Sequence, residues 1–596
     1  MKYTKLNLEN VLKKLSFILL FISFTNSIFA IQLNNPQNEL LSLVRISSTD
    51  KEKLKEELIK ANFDVISTDQ PSSVDIIVNS YEMKELEKRG LTYILVRRGS
   101  PLKYMKSSEK QGGELPVGYL SLEEIYTRMQ EFATENPSIA KVYDLTEDLN
   151  TPVTSEGRHL FALKISDNVA IEEDEPDFLI VGNHHAREVV TPVIALNAMS
   201  LLTAGYGIDP TITEVINNNE IWIAPTWNPD GYNHVYNVDN YWRKNRRVFN
   251  EGIGVDQNRN YPHEWNGPYS GSTNPASSIY KGPSAGSEAE TRTMIAFGND
   301  QRFEKLIDYH SSGREVLWGF HDPTHPFDSW FHEEAEILAV NSGYIGDGNT
   351  RKPSASGENY HWHLAYTGSY AFLIETHTMF TPSYSSALAE ANMLWPGIIS
   401  CLLRKIPLSG HVRDEHNNQP LVANIEIDGI NFVSDEINES GGLFGAYHLY
   451  LPAGEYDIIF SADGYADEEV HVIINSDSEE ILDVQLVPID VSIENIIFNS
   501  SSENIILNSN YPNPFNKLTN IEFILSEPEL VSLDIYNING QYIKSLINKQ
   551  IYPKGTNTVK WDGTNSKNRK MPSGIYIIKI HSGNSIKTRK CILTKD

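Results

Sequence analysis

Asp177-Phe178-Leu179-Ile180-Val181-Gly182 predicts a buried β-strand, because a short apolar run ending in Gly is typical of one. The apolar run from Val189 to Leu202 is long enough for a helix. Between the two lies His185-Ala186-Arg187-Glu188. A polar motif at the carboxyl end of a strand stands where open α/β sheets bind their ligands. The stretch therefore predicts an α/β sheet with a ligand site at this edge.

Two further predicted strands end in residues of the same kind. Phe303 to Tyr309 precedes His310, and Tyr370 to Ile374 precedes Glu375. A His-x-x-Glu pattern by itself often arises by chance, as a surface His and a helix-start Glu. Three strand ends with such residues are hard to explain by packing, because a buried charged Glu needs a partner or water.

These residues have the chemistry of a catalytic zinc site. Two His and one carboxylate leave a fourth position open, as catalytic zinc requires, which makes His185, Glu188 and His310 the candidate ligands. Glu375 is the candidate general base that would act on water at the metal.

The residue types and their order resemble the zinc carboxypeptidases of the carboxypeptidase A type. The resemblance implies one Zn²⁺ per chain, with Arg187 close to the metal. It implies that Arg246 stabilises the tetrahedral oxyanion, and that Asn258 and Arg259 bind the free terminal carboxylate of a peptide. A solvated basic turn around Arg246 is the alternative.

The chain departs from the family pattern at the residue that covers the substrate. The family has a Tyr before an Ala-Ser-Gly turn, and here that position is Pro353; Tyr344 or Tyr360 are the possible substitutes. We expect a hydrophobic or broad preference for the departing side chain, with Glu358 as the residue that could change this to a basic one.

Composition limits the partners and the redox chemistry. The 596 residues include 78 acidic and 50 basic ones, and the net charge of −28 argues against nucleic acid or an anionic membrane as partner. Cys401 and Cys591 are the two cysteines and lie in different segments, which excludes a disulfide framework and a thiolate zinc site.

The sequence predicts a multidomain chain. Lys2, Lys5, Lys13 and Lys14 before an apolar run indicate a secretory signal peptide at 1–30, with an N-terminal membrane anchor as the alternative. No later run is expected to be long enough to span a bilayer. A small α+β domain at 31–100 has the position of a pro-segment, although a structural extension is the alternative. A linker at 101–116 and an α/β zinc carboxypeptidase domain with a mixed sheet at 117–405 follow.

Short strands with turn residues then predict two β-sandwich domains. Residues 406–488 resemble a transthyretin-like module, and 489–504 is a linker. In 505–596, four motifs resemble the C-terminal sorting domain of the type IX secretion system, with a basic tail; the alternative is a further binding sandwich. The motifs are Asn510–Asn516, Ile535–Gly540, Trp561–Gly563 and Ser573–Tyr576.

Two function classes remain open. The first is a secreted or cell-surface zinc metallocarboxypeptidase, whose partners are peptide or protein substrates and the type IX secretion machinery. The second is a surface binding protein on an inactive peptidase fold, and an endopeptidase on that fold is a further alternative. The presence of Glu375 together with all three metal ligands favours the enzyme.

Overall fold

The computed structural model describes residues 40–66, 70–105, 118–321, 324–346, 348–432, 436–476, 478–489, 505–537, 542–567, 569–582 and 585–594. The expected signal peptide, most of the expected linkers, and parts of the Ile535–Gly540 motif and of the basic tail lie outside these residues. The chain forms two compact units. The first comprises the chain up to Ala462 together with Asp467–Val487, and the second comprises Asp463–Ala466 and the chain from Pro488.

The N-terminal domain is a four-stranded antiparallel sheet with two helices. Leu54 and Leu58 of the first helix pack on a core that includes Val44 and Ile76. Asp50 caps this helix, because its side chain accepts the Lys53 N–H. The sheet order is β2-β3-β1-β4. The elements are β1 (Ser42–Ser47), α1 (Lys51–Lys60), β2 (Asp64–Ile66), β3 (Ser73–Val78), α2 (Ser80–Lys88) and β4 (Ile94–Arg98).

The central domain has a mixed eight-stranded sheet and a separate two-stranded hairpin. Its strands and the hairpin, in chain order, are β5 (Ala140–Asp144), β6 (Phe161–Ile165), β7 (Asp177–Gly182), β8 (Glu220–Ala224), β9 (Val248–Phe249), β10 (Gly252–Ile253), β11 (Lys305–Ser311), β12 (Glu315–Leu317), β13 (Thr350–Arg351) and β14 (Tyr370–Thr376). The sheet order is β13-β12-β14-β11-β7-β8-β6-β5, and β9 pairs with β10.

Helices cover this sheet. They are α3 (Leu122–Glu135), α4 (Leu145–Asp148), α5 (Val190–Gly205), α6 (Pro210–Asn217), α7 (Pro229–Asn237), α8 (Ala289–Gln301), α9 (Asp328–Asn341), α10 (Asn359–Tyr366) and α11 (Tyr384–Leu403). Short 3₁₀ turns lie at Leu102–Met105 and Gln257–Arg259.

The four central strands set the position of the site. β8, β7, β11 and β14 are neighbours and run parallel, so their carboxyl ends meet at one edge of the sheet. β7 and β11 are buried throughout, as expected for parallel strands covered on both faces.

One helix in the described ranges, α11, is long and apolar enough to cross a membrane, and the bent pair α5 and α6 also passes this test if it is counted as one span. The expectation that no such run follows the N-terminus is therefore wrong by length and composition. Ala387, Leu394 and Ile398 of α11 are buried in the main core, and this helix packs against α5.

The remainder of the first unit is built from short strands in two small sheets. The first has the order β17-β15-β20, and β21 also pairs with β15. The second has the order β16-β18-β19. They are β15 (Leu408–Asp414), β16 (Asn424–Ile427), β17 (Ala446–Leu449), β18 (Gly454–Ser461), β19 (Glu468–Ile474), β20 (Glu480–Ile481) and β21 (Val484–Leu486).

The second unit also has two sheets, β22-β23-β26 and β25-β24-β27-β28, around a core that contains Phe515, Phe523 and Trp561. Its strands are β22 (Ile505–Leu507), β23 (Thr519–Leu525), β24 (Glu529–Asn537), β25 (Tyr542–Tyr552), β26 (Gly555–Trp561), β27 (Gly574–Ser582) and β28 (Ser585–Leu593).

Candidate metal centre and active site

Three predicted ligands converge at the carboxyl ends of β7 and β11. His185 Nδ1 lies 2.8 Å from Glu188 Oε1 and 3.1 Å from His310 Nδ1. His310 Nδ1 lies 3.0 Å from Glu188 Oε2. Two ligands of a tetrahedral zinc ion, each ~2.0–2.1 Å from the metal, are about 3.3 Å apart. The three side chains therefore have the spacing and the chemistry that suit Zn²⁺.

The outer nitrogen of each histidine faces a carboxylate. His185 Nε2 lies 3.0 Å from Asp256 Oδ1, and His310 Nε2 lies 3.3 Å from Asp308 Oδ1. Burial opposes ionisation of Glu188, yet the two imidazoles hold its pKa well below the usual range. The centre thus keeps a carboxylate in an ionised state that can bind a cation.

Glu375 ends β14 beside this centre. It pairs in register with His310 on the neighbouring parallel strand. Its Oε2 is buried and accepts no hydrogen bond from the described residues. Desolvation raises the pKa of Glu375 to about 7, and the nearby Glu188 carboxylate adds to the rise. A carboxyl group with this pKa can both take up and release a proton near neutrality.

Arg243 contacts a candidate ligand, whereas Arg187 and Arg246 have other partners. Arg243 binds Asp256 Oδ2 through Nε (3.0 Å) and Nη2 (2.8 Å), and its Nη1 lies 3.9 Å from Glu188 Oε1. Arg246 instead stacks over the Trp242 ring at 4.4 Å and lies 3.6 Å from Glu156. The Arg nearest the ligands in this basic segment is thus Arg243.

Arg187 is engaged by the N-terminal domain. Its guanidinium forms a bidentate pair with Asp64 of β2, with 2.8 Å between Nη2 and Oδ1, and lies over the Phe380 ring. Burial would raise the pKa of Asp64, but Arg187 and Arg243 hold it below its usual value. A carboxylate of the N-terminal domain therefore lies at the edge of the metal centre.

Further contacts join the N-terminal domain to the central domain around this pair. Asn79 Nδ2 donates to the Ala276 carbonyl (2.8 Å), and Glu82 Oε1 accepts the Ser278 N–H (2.9 Å). The Leu41 N–H donates to Asp239 Oδ2 at 2.7 Å. The N-terminal domain is therefore held to the central domain by hydrogen bonds besides the Asp64–Arg187 pair.

Both residues of the expected carboxylate site have internal partners. Asn258 Oδ1 accepts the Asn359 N–H at 2.8 Å, and Asn258 Nδ2 lies 3.3 Å from His310 Nε2. Arg259 Nη1 donates to Glu358 Oε1 at 2.9 Å. Glu358 Oε2 is buried and accepts no hydrogen bond from the described residues. A substrate carboxylate would therefore have to compete with Glu358 for Arg259.

The two tyrosines considered as a cover for the substrate are both buried. The hydroxyl of Tyr344 donates to Glu390, and that of Tyr360 donates to the Gly319 carbonyl. Tyr269, by contrast, is 46% exposed, and its ring centroid lies 3.9 Å from that of His321. His321 Nδ1 lies 2.8 Å from the Pro353 carbonyl, so Tyr269 neighbours the segment in which the Tyr was expected.

Sequence reasoning missed several polar residues of the site. Asp308 lies two positions before His310 on β11, a spacing that places both side chains on one face of a strand and could have indicated it. Arg243 was considered only as part of a basic turn. Asp64 gave no signal, because only the tertiary structure brings it to Arg187.

Comparisons with known proteins show which families the chain is similar to. Residues 125–395 match the model of the zinc carboxypeptidase family, and residues 509–594 match that of the secretion system C-terminal sorting domain. A zinc carboxypeptidase of Saccharothrix mutabilis subsp. capreolus is 34% identical over 151 residues, which is 25% of this chain and 33% of the relative.

Longer matches lie in animal relatives. Carboxypeptidase A4 of Mus musculus is 27% identical over 423 residues, covering 66% of this chain and 94% of the relative. Among solved structures, carboxypeptidase A from Helicoverpa armigera superposes with a TM-score of 0.49 at 21% identity, covering 60% of this chain and 95% of that one. The chain carries a zinc carboxypeptidase domain, whose family uses Zn²⁺ as its cofactor, followed by a type IX secretion sorting domain.

Proposed function

We propose that this chain is a secreted zinc metallocarboxypeptidase that removes C-terminal residues from peptides. The observation that carries the proposal is the convergence of His185, Glu188 and His310 beside Glu375. When bound, Zn²⁺ would supply Lewis acidity that polarises a peptide carbonyl and makes a water molecule more acidic. Glu375 would take the proton of the attacking water and pass it to the departing amine.

Arg243, rather than Arg246, is the cation that we propose for the developing oxyanion. Its guanidinium is buried, held by Asp256 and directed toward Glu188. Fixed positive charge near the reacting carbonyl stabilises the tetrahedral oxyanion without reorganisation. Arg246 is held on Trp242, outside this cluster.

Asn258 and Arg259 are the proposed receptor of the terminal carboxylate. An Arg fork can bind a carboxylate with two parallel hydrogen bonds, which a C-terminal amide cannot match. The contact between Glu358 and Arg259 favours a second candidate function, an endopeptidase, because it already neutralises the receptor. Cleavage of matched peptides with free and amidated C-termini separates the two, since only the carboxypeptidase discriminates against the amide.

The N-terminal domain, 31–100 by the sequence, is proposed to be an inhibitory pro-segment. Asp64 occupies Arg187 at the edge of the metal centre, and flanking contacts hold the domain over it. Processing in the linker at 101–116 would release it. We further propose that residues 406–488 are a transthyretin-like module and that 489–504 is a linker.

Export is the proposed role of both ends of the chain. The sorting domain implies secretion or display at the cell surface through the type IX machinery. We propose that residues 1–30 are the signal peptide for the preceding step, that α11 is a core helix, and that no segment of the mature chain spans a membrane.

The test is zinc content together with hydrolysis of a blocked dipeptide with a free C-terminus, using chain freed of residues 31–116. One zinc per chain and activity that is lost with chelator and restored by Zn²⁺ are expected. A chain that binds zinc but cleaves neither the dipeptide nor longer peptides would instead be the surface binding protein. The variant His310→Ala should lose the zinc, and unchanged stoichiometry in it would remove the metal assignment.

A further inference from the structure

A buried carboxylate that the proposed reaction does not use lies behind one of the zinc ligands. Asp308 is two residues before His310 on β11, so the pleat of the strand directs both side chains to the same face. Asp308 Oδ1 lies 3.3 Å from His310 Nε2 and 3.1 Å from His184 Nδ1. Asp308 and His184 are 0% exposed.

The second oxygen of Asp308 is fixed by an asparagine. Asp308 Oδ2 accepts a hydrogen bond from Asn359 Nδ2 at 3.1 Å. The backbone N–H of Asn359 donates to Asn258 Oδ1 at 2.8 Å. Asn359 is the first residue of α10 and is also fully buried. Asp308 is thus anchored to the helix that also holds Asn258.

The role of Asp308 depends on which ring nitrogen of His310 carries the proton. A neutral imidazole that binds a metal through Nδ1 carries its proton on Nε2, and that N–H requires an acceptor. Asn258 Nδ2 lies 3.3 Å from His310 Nε2 but can only donate, because Asn258 Oδ1 is the atom that accepts from Asn359. Asp308 Oδ1 is buried and accepts no hydrogen bond from the described residues. It is therefore the available acceptor.

His185 provides the internal comparison. Its Nδ1 faces the centre, and its Nε2 lies 3.0 Å from Asp256 Oδ1. Each ligand imidazole is thus placed between the centre and an outer carboxylate. Asp256 is shared with Arg243, whereas Asp308 is shared with His184 and Asn359.

We propose that Asp308 is a positioning residue that fixes the orientation and tautomer of His310 for metal binding, and that Asn359 holds Asp308 in place. The inference rests on the proposed zinc function. An outer carboxylate raises the basicity of the imidazole it contacts, and loss of such a partner typically costs about 10- to 100-fold in metal affinity. Asn359 also connects this arrangement to Asn258 in the proposed carboxylate receptor.

The experiment measures zinc affinity in the full chain. Zinc is titrated into metal-free wild type and Asp308→Asn in the presence of a competing chelator, and the melting temperature of both metal-free proteins is recorded. We expect about 10- to 100-fold weaker zinc binding in Asp308→Asn. Glu334→Gln is the matched control, because it changes another buried carboxylate of the same domain, bound to Arg404 and Tyr370, and should keep wild-type affinity.

Asn359→Ala is the second variant. It removes the donor to Asp308 Oδ2 but keeps the backbone N–H that binds Asn258, so it tests the same contact if Asp308→Asn does not fold. We expect a few-fold loss of zinc affinity in it.

The outcomes separate the two proposals. Absence of zinc binding in the wild type would overturn the proposed function and this inference together. Wild-type binding with equal affinity in Asp308→Asn or, if that variant does not fold, in Asn359→Ala would overturn the positioning role alone. A lower melting temperature of the variant with unchanged zinc affinity would also overturn the positioning role. Two zinc ions per wild-type chain, with one lost in Asp308→Asn, would make His184, Asp308 and His310 a second metal site instead.

Discussion

At the scale of single residues, the proposed reaction depends on charged side chains whose burial is offset by neighbouring groups. Glu188 stays ionised because two imidazoles face it, whereas burial and the neighbouring Glu188 carboxylate raise the pKa of Glu375 to about 7. Two carboxyl groups in one site therefore have environments suited to different roles, one as ligand and one as proton acceptor.

We predict that Glu375→Gln keeps zinc and fold but lowers kcat by at least ~10², because an amide cannot take a proton from water. Steady-state kinetics and metal analysis of the processed chain measure this. Near-normal kcat in a zinc-loaded variant would exclude Glu375 as the base.

Glu358→Gln is predicted to lower KM for peptides with a free C-terminus by about tenfold. The neutral Gln side chain competes less well than Glu358 with the substrate carboxylate for Arg259. Hydrogen bonds to charged groups contribute roughly 1.5–3 kcal/mol, which corresponds to a change of this size. The matched control is the same peptide with an amidated C-terminus, whose KM should stay unchanged. An equal change for both peptides would show that Glu358 does not guard a carboxylate receptor.

At the scale of elements, the carboxyl ends of β7, β11 and β14 bring His185, Glu188, His310 and Glu375 together. The hydrophobic pattern of the sequence made this predictable. Each run of apolar residues ending in a polar one identified a strand and its polar terminus. The residues of the basic segment that face the site were not predictable, because the loop between α7 and β9 lacks the hydrophobic periodicity of a helix or strand. The family resemblance implies Arg246 as the cation, whereas Arg243 is the residue of this segment that contacts Glu188.

Glu290, in the first turn of α8, should make stability depend on pH. Burial raises its pKa to about 8, and the neighbouring Glu288 carboxylate adds to the rise. The folded chain therefore keeps a proton that the unfolded chain releases above pH ~4.5, so stability falls as pH rises from ~4.5 to about 8.

Glu290→Gln should remove this part of the slope and raise stability at pH 8 by at most a few kcal/mol. Melting temperatures of both proteins between pH 5 and pH 8.5 provide the measurement. Parallel curves for variant and wild type would contradict the prediction.

At the scale of the whole molecule, the N-terminal domain and the sorting domain would control when and where the enzyme acts. We predict that Asp64→Asn raises the kcat/KM of the unprocessed chain by at least about tenfold, because breaking a buried ion pair costs roughly 3–5 kcal/mol and a tenfold change requires about 1.4 kcal/mol of docking energy. The processed chain should be unaffected by the substitution.

The matched control for Asp64→Asn is Asp75→Asn, which breaks the Arg45 pair within the same sheet without touching Arg187. If both variants activate equally, the effect is general destabilisation of the domain. If neither does, Asp64 does not restrain the enzyme.

A chain ending near residue 490 is predicted to be active when made in a foreign host but to remain in the periplasm of its own. The second unit has its own hydrophobic core, so its removal takes no core residue from the catalytic domain. Fractionation and activity assays measure both properties. Normal surface delivery of the shortened chain would remove the sorting role.

The α/β character and the strand ends that carry His185, Glu188, His310 and Glu375 could be predicted from the sequence alone, because strand periodicity and strand-end polarity are local properties of the chain. The fold was needed to show that Arg243 contacts Glu188, that Asp308 lies beside His310, and that Glu358 pairs with Arg259. It also decided that Asp64 reaches Arg187 across 123 positions of sequence. Such contacts depend on how distant segments pack, and a pattern read along one segment carries no record of its partners.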